Sequence, residues 1–289
     1  MHEGAVLACA PDAADGLLTG GDDGRLMRCS PAGEATELAR YGSRWVEHVA
    51  SHESGLRAAT VGRAVHLLDG AGAALKSLAH PSAVGGVAFD AKGKRVAASH
   101  YNGASLWFVA AREDKPRVLE WKGSHGAIAI SPDGTHVVTA MQESALHAWR
   151  LGPPGTDVQH MRMSGYPAKT RALSFTAKGK WLATGGAESV VLWPFFGGGP
   201  MGKQPTELAG GDSVLCTAVA CHPQHDVVAA GFGDGLVLLV ELATGKVVPV
   251  APPTGSAVSA LGWGAAGAAL AFGTEGGFAA LLDLAKRGG

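Results

Sequence analysis

Short apolar runs separated by turn-forming residues recur along the whole chain with a spacing of roughly forty residues, the period of stacked small sheets. The runs come in pairs. Ala5-Val-Leu-Ala-Cys-Ala is followed by Gly16-Leu-Leu-Thr-Gly-Gly, and Val84-Gly-Gly-Val-Ala-Phe by Arg95-Val-Ala-Ala-Ser. Ala127-Ile-Ala-Ile precedes His136-Val-Val-Thr-Ala, and Arg171-Ala-Leu-Ser-Phe precedes Trp181-Leu-Ala-Thr-Gly-Gly. Ala218-Val-Ala-Cys pairs with Val227-Val-Ala-Ala-Gly, and Ser259-Ala-Leu-Gly-Trp with Ala269-Leu-Ala-Phe-Gly. A weaker copy lies at Trp45-Val-Glu-His-Val-Ala and Leu56-Arg-Ala-Ala-Thr. Runs this short, bounded by Gly, Pro, Asn and Asp, are strands rather than helices.

A third and fourth run complete each set but the last, so the pattern predicts an all-β protein, a seven-bladed β-propeller of four-stranded antiparallel blades with a three-stranded last blade. The expected blades span 5–39, 45–78, 84–121, 126–162, 170–208, 215–250 and 257–283, within one domain covering 1–289. The last set offers only three strands, which leaves an edge near Gly277-Phe-Ala-Ala-Leu-Leu-Asp. Between the first and second strands stand turns such as Ser131-Pro-Asp-Gly and Asp90-Ala-Lys-Gly. Pro presets φ there, Asp bonds its own backbone and Gly accepts the left-handed position. Between the second and third strands, Asp22-Asp-Gly, Asn102-Gly and Gly233-Asp-Gly are hairpin signals.

Composition narrows the function classes. Basic and acidic residues number 24 and 25, a formal net charge of −1. Such balance supplies no field to gather nucleic acid or an anionic membrane, so neither is an expected partner. No apolar run reaches the roughly 20 residues that a membrane helix needs. The four cysteines form no CxxC pair, and Cys9, Cys216 and Cys221 lie in apolar runs, which reads as free thiols in a reducing compartment. With no basic, apolar leader before Cys9, the expected location is the cytoplasm. Ala and Gly richness suggests a GC-rich bacterial genome.

The residues at fixed places in these sets resemble the WD-repeat β-propeller family across essentially the whole chain. That resemblance implies a hydrogen-bonded brace within a blade: a His before the first strand, a Ser or Thr on the second, an acid or amide in the next turn, and a Trp on the third. The third set supplies His80, Ser99, Asn102 and Trp107, and the fourth His125, Thr139, Glu143 and Trp149. The fifth keeps Thr184, Glu188 and Trp193 without an evident His, and the first and sixth keep Asp23 and Asp234 without a Trp. The Trp-Asp dipeptide that names the family is absent; its places read Trp107-Phe, Trp149-Arg and Trp193-Pro. Physically, a buried indole N–H and imidazole each need a partner, and linking them satisfies both. These residues therefore read as structure, not as a catalytic triad.

Chemistry has little foothold. No GxSxG, HExxH or phosphate-cradling loop occurs, so no cofactor is expected and the protein reads as a non-enzyme. The one Cys/His cluster, Cys221, His222 and His225, is the alternative: a zinc-handling protein. A propeller enzyme ranks below it, because the inner strands are mostly Ala, Val, Ile, Ser and Gly. The preferred reading is a scaffold that binds a protein or peptide on the face formed by its loops. Large side chains in those loops have no core role to fill. They are Tyr41, Arg44, Trp45, His100, Tyr101, Met141 (with Gln142), Tyr166, Lys169, Arg171 and Phe232. The cations Arg44, Lys169 and Arg171 favour an acidic segment in the partner.

Overall fold

The computed structural model describes residues 2–153, 155–210, 213–264 and 266–284. Every regular element among them is a β-strand. The first sheet joins β1 (Val6–Asp12), β2 (Gly16–Gly21), β3 (Arg25–Cys29) and β4 (Ala35–Arg40). The second joins β5 (His48–Ser51), β6 (Arg57–Val61), β7 (Ala64–Leu68) and β8 (Ala74–Ala79). The third has six strands: β9 (Gly86–Phe89), β10 (Arg95–Phe108), β11 (Arg117–Ile130), β12 (His136–Met141), β13 (Leu146–Arg150) and β14 (Gln159–Met163). The fourth holds β15 (Leu173–Phe175), β16 (Trp181–Thr184), β17 (Ser189–Pro194) and β18 (Thr206–Gly210). The fifth holds β19 (Cys216–Cys221), β20 (Val227–Phe232), β21 (Val237–Glu241) and β22 (Val247–Ala251). The sixth has three strands, β23 (Val258–Trp263), β24 (Ala269–Thr274) and β25 (Ala279–Asp283).

Six sheets replace the seven blades expected from the repeats, and the correction lies in the third sheet. Its strands β9–β14 cover the third and fourth predicted repeats. The expected turn at Asn102-Gly103 is present in the backbone, with φ of 67° and 141°. The ladder nevertheless continues past it: Tyr101 pairs with Ser124 and Gly103 with Glu120. Segments predicted as the outer strand of one blade and the inner strand of the next thus share the single strand β11. A repeat pattern shows where apolar runs lie, but not whether the ladder between two of them is interrupted.

Two compact units divide the chain. One comprises residues 2–130, 134–139 and 151–158; the other comprises 131–133, 140–150 and the described residues from 159 onward. In the first unit, apolar side chains from successive sheets meet. Leu18 and Leu26 of the first sheet pack with Ala59, Val61 and Leu68 of the second. Val65, Leu67 and Leu78 of the second pack with Val96, Ala98 and Trp107 of the third. In the second unit, Val190 and Leu192 of the fourth sheet pack with Val219, Val228 and Phe232 of the fifth. Ala229 and Val237 of the fifth pack with Trp263, Leu270 and Phe272 of the sixth. Each fully buried Leu or Val contributes about 1.5–3 kcal/mol, so these seams between sheets stabilise each unit from within.

Polar bonds between neighbouring turns reinforce the seams. Arg57 is buried and grips Asp12 through Nε (3.0 Å) and Nη2 (2.9 Å), while its Nη1 donates to the carbonyls of Asp69 and Gly70. The fork geometry and the extra carbonyls answer the desolvation that a buried ion pair incurs. Arg95 donates to Asp90 at 2.9 Å and to the Gly134 carbonyl at 3.0 Å. In the other unit, the Trp263 indole donates to the Ala220 carbonyl at 2.9 Å.

Candidate interaction site

Each connection between sheets is pinned to a turn by backbone bonds. The Tyr41 N–H donates to the Gly24 carbonyl (2.8 Å), and that of Val46 to Gly21 (3.0 Å). Val84 donates to Gly62 (2.9 Å), Gly85 to Ser99 (2.9 Å), and the Tyr101 N–H to the Ser82 hydroxyl (2.9 Å). In the second unit, Ala168 donates to Gly186 (3.2 Å) and Gly186 to Cys216 (2.9 Å). Backbones tied down in this way present their side chains without large ordering cost.

The predicted contact residues divide by exposure. Trp45 is 57% exposed and Tyr101 60%. Arg44, next to Trp45 in sequence, is exposed, its Nε donating weakly to the Tyr41 carbonyl at 3.5 Å. Tyr41 is half-buried and stacks on His66 with ring centroids 4.6 Å apart. In the second unit Lys169 and Arg171 are exposed, and Lys169 donates to the Gln142 side-chain oxygen at 2.6 Å. His100, Met141 and Phe232 are buried. His100 donates from Nδ1 to the Tyr101 carbonyl and accepts the Ser105 hydroxyl at Nε2, both at 2.9 Å. Phe232 lies in the seam between the fourth and fifth sheets.

Tyr166 has a role that sequence reasoning missed. Its hydroxyl accepts the Trp193 indole N–H at 2.6 Å and lies 2.7 Å from Thr184 Oγ1, which itself donates to the Val191 carbonyl at 3.2 Å. The direction of that last bond makes Tyr166 the donor to Thr184. A tyrosine thus closes the brace of the fourth sheet, where no His was evident. Burial pushes its pKa up to about 12, and the bonds to Thr184 and Trp193 only partly oppose this.

The braces of the other sheets differ in detail. In the first, His2 joins Asp23 and Thr19. Its Nδ1–H donates to Asp23 and its Nε2 meets the Thr19 hydroxyl, both at 2.9 Å. Desolvation raises the pKa of Asp23, but the N–H groups of Glu3 and Arg25 and the His2 ring outweigh it and hold the carboxyl at about 2. In the third sheet, His125 Nδ1 lies 2.7 Å from Thr139 Oγ1, and its Nε2–H donates to the Trp121 carbonyl at 2.8 Å. Trp149 is buried edge-on against His147, and Glu143 is exposed. His80 Nδ1–H donates to the Leu78 carbonyl at 2.9 Å, its ring lies edge-on to Trp107 at 4.6 Å, and Ser99 donates instead to the Gly126 carbonyl. Asn102 Oδ1 accepts the Gly123 N–H at 3.2 Å. His80 Nε2 is buried with no hydrogen-bond partner among the described residues. Desolvation, with His100 nearby, takes the pKa of His80 down to about 4 despite the Leu78 carbonyl.

The Cys/His cluster is a turn brace. His222 Nδ1 accepts the N–H groups of Gln224 and His225, both at 3.0 Å, and its Nε2–H donates to the Gly267 carbonyl at 3.1 Å. Both ring nitrogens are therefore committed to backbone, as Oδ1 of Asp90 is in its own turn. Burial pushes the Cys221 thiol up to about 12, and it donates to the Ser174 carbonyl. Among the described residues no His, Cys, Asp and Glu side chains gather as three or more metal ligands. All four cysteines are free: Cys216 is buried, Cys221 and Cys29 partly so, and Cys9 exposed. No helix among the described residues is long and apolar enough to cross a membrane.

Comparison with known proteins places the fold. The solved structure described as the RRP9 WD40 repeats superposes with a TM-score of 0.75 over 95% of this chain and 88% of that one, at 16% identity. The chain has the fold of a WD40-repeat β-propeller. No family model matches it. Two curated relatives, both named telomerase protein component 1, are 26% identical over 197 residues in mouse and 28% over 195 residues in rat. The matches cover 64% of this chain and 7% of each relative, so the chain spans a small part of their length. Relatives from mouse and rat give no support to a bacterial source.

Proposed function

We propose that this protein is a non-enzymatic interaction platform that holds a protein or peptide on the connections between its sheets. The observation that carries the reading is the pair of exposed aromatics, Trp45 and Tyr101, on backbones tied to neighbouring turns. Rigid aromatics beside an arginine are the usual anchors of protein interfaces. Arg44 adds a planar cation suited to a carboxylate of the partner. In the other unit the exposed cations Lys169 and Arg171 offer a second set of the same character, described by itself. The WD40 fold supports the reading, as does the name of the curated relatives, telomerase protein component 1. Free thiols agree with action in a reducing compartment such as the cytoplasm.

The test is affinity capture with the Trp45→Ala, Tyr101→Ala double variant against the wild-type chain. Loss of the captured partner, with an unchanged unfolding midpoint, supports the platform. Equal recovery by both proteins counts against it.

A further inference from the structure

The hairpin of β17 and β18 carries two different faces. Val190 and Leu192 point into the core with the fifth sheet. The alternate residues Ser189, Val191 and Trp193 face the other way, and Glu207 stands opposite Val191 in the ladder, on the same side. The connection at 164–167 runs beside that face. Together they border an open cavity of about 390 Å³, whose walls include Tyr166, Trp193, Val191, Pro205, Glu188 and Glu207. That volume lies within the usual range of ligand pockets, roughly 300–1,000 Å³.

We propose that this cavity receives the arginine side chain of a partner peptide. Its lining includes two carboxylates and no lysine or arginine. The polar atoms of both aromatics are already spent on each other and on Thr184. What Tyr166 and Trp193 offer an occupant is therefore ring surface, and what Glu188 and Glu207 offer is negative charge. The Ser189 hydroxyl donates to Glu207 at 2.7 Å and fixes that carboxylate at the wall. A planar cation that stacks on aromatic rings while donating to carboxylates is a guanidinium; an ammonium meets only the charge. The backbone keeps the wall in place. Gly210 has φ of 144°, and a Cβ there would stand 2.0 Å from the Glu188 carbonyl oxygen. This site goes beyond the aromatic platform and uses neither Trp45 nor Tyr101, nor the cations Arg44, Lys169 and Arg171.

Calorimetric titration of the full chain tests the proposal with three blocked pentapeptides, Gly-Ser-X-Ser-Gly, in which X is arginine, lysine or citrulline. The arginine peptide is expected to bind saturably, and the lysine and citrulline peptides about tenfold more weakly or worse, since charge or planarity is lost. The Glu188→Gln, Glu207→Gln double variant should lose binding by a similar factor, with its unfolding midpoint unchanged because both carboxylates are exposed. Absence of saturable binding, equal binding of the three peptides, or undiminished binding by the double variant overturns the proposal. The Trp45→Ala, Tyr101→Ala variant should bind the arginine peptide as the wild type does, so failure of the platform and failure of this cavity are read separately.

Discussion

Tyr166 and His80 stand at the same place in their repeats, on the connection that leads from the outer strand of one set to the inner strand of the next, and they solve the same problem differently. Tyr166 links the Trp193 indole to Thr184 in a directed chain that leaves neither polar group idle. His80 satisfies only its Nδ1, and its Nε2 is buried beside Trp107 and His100 without a hydrogen-bond partner among the described residues. One brace holds a proton that leaves only near pH 12; the other holds a base that burial keeps neutral. The repeat therefore demands a group that fills the position and answers its neighbours, and not a particular residue type. Its pH sensitivity is set by which group is used.

The largest break in this comparison is Trp193→Ala, which removes a buried indole and strands Tyr166; a loss of about 3–5 kcal/mol in urea unfolding is expected. Tyr166→Phe is the cleaner cut. It keeps the ring but leaves the buried indole N–H without its acceptor, for about 1–3 kcal/mol. Stability equal to wild type would show that the hydroxyl bonds carry no weight. Gly210→Ala strains a left-handed position against the Glu188 carbonyl and should cost of the order of 1–3 kcal/mol.

On the His80 side the effect is a pH dependence. Its folded pKa lies below the free value of 6.5, so its contribution is whole above that pH and is lost as pH falls toward about 4. A decline of about 1 kcal/mol by about pH 5.5 follows from 1.36 kcal/mol per unit, and His80→Gln should flatten it. No such decline should depend on Tyr166. Smallest is the acid limb of Asp23. Its carboxyl is held at about 2, so its share of stability is present above pH 3.8 and disappears as pH falls from there toward 2. Asp23→Asn should remove that limb and leave the His80 limb intact.

The strands were legible because alternating apolar residues and Pro-Asp-Gly or Asp-Gly turns are local signals. The number of sheets was not, because the ladder through Tyr101, Gly103 and Ser124 depends on pairing between segments that no local pattern specifies. Trp45 and Tyr101 were found by asking which large side chains sit in connections. The same question placed Tyr166, Met141 and Phe232 at the surface as well, because residues at strand ends carry the same composition whether they turn inward or out. Tyr166 was readable in principle: Thr184 and Trp193 lacked a partner, and a hydroxyl-bearing aromatic stood eighteen residues before Thr184. His2 gave no signal in the sequence, since no apolar run marks its place.

The most direct measurement for the platform is amide hydrogen exchange of the chain with and without its captured partner. The account predicts new protection concentrated at residues 41–46 and 100–103, with the turn at 222–225 unchanged. Protection confined to that turn, or spread over the sheets with none at Trp45 and Tyr101, would contradict it.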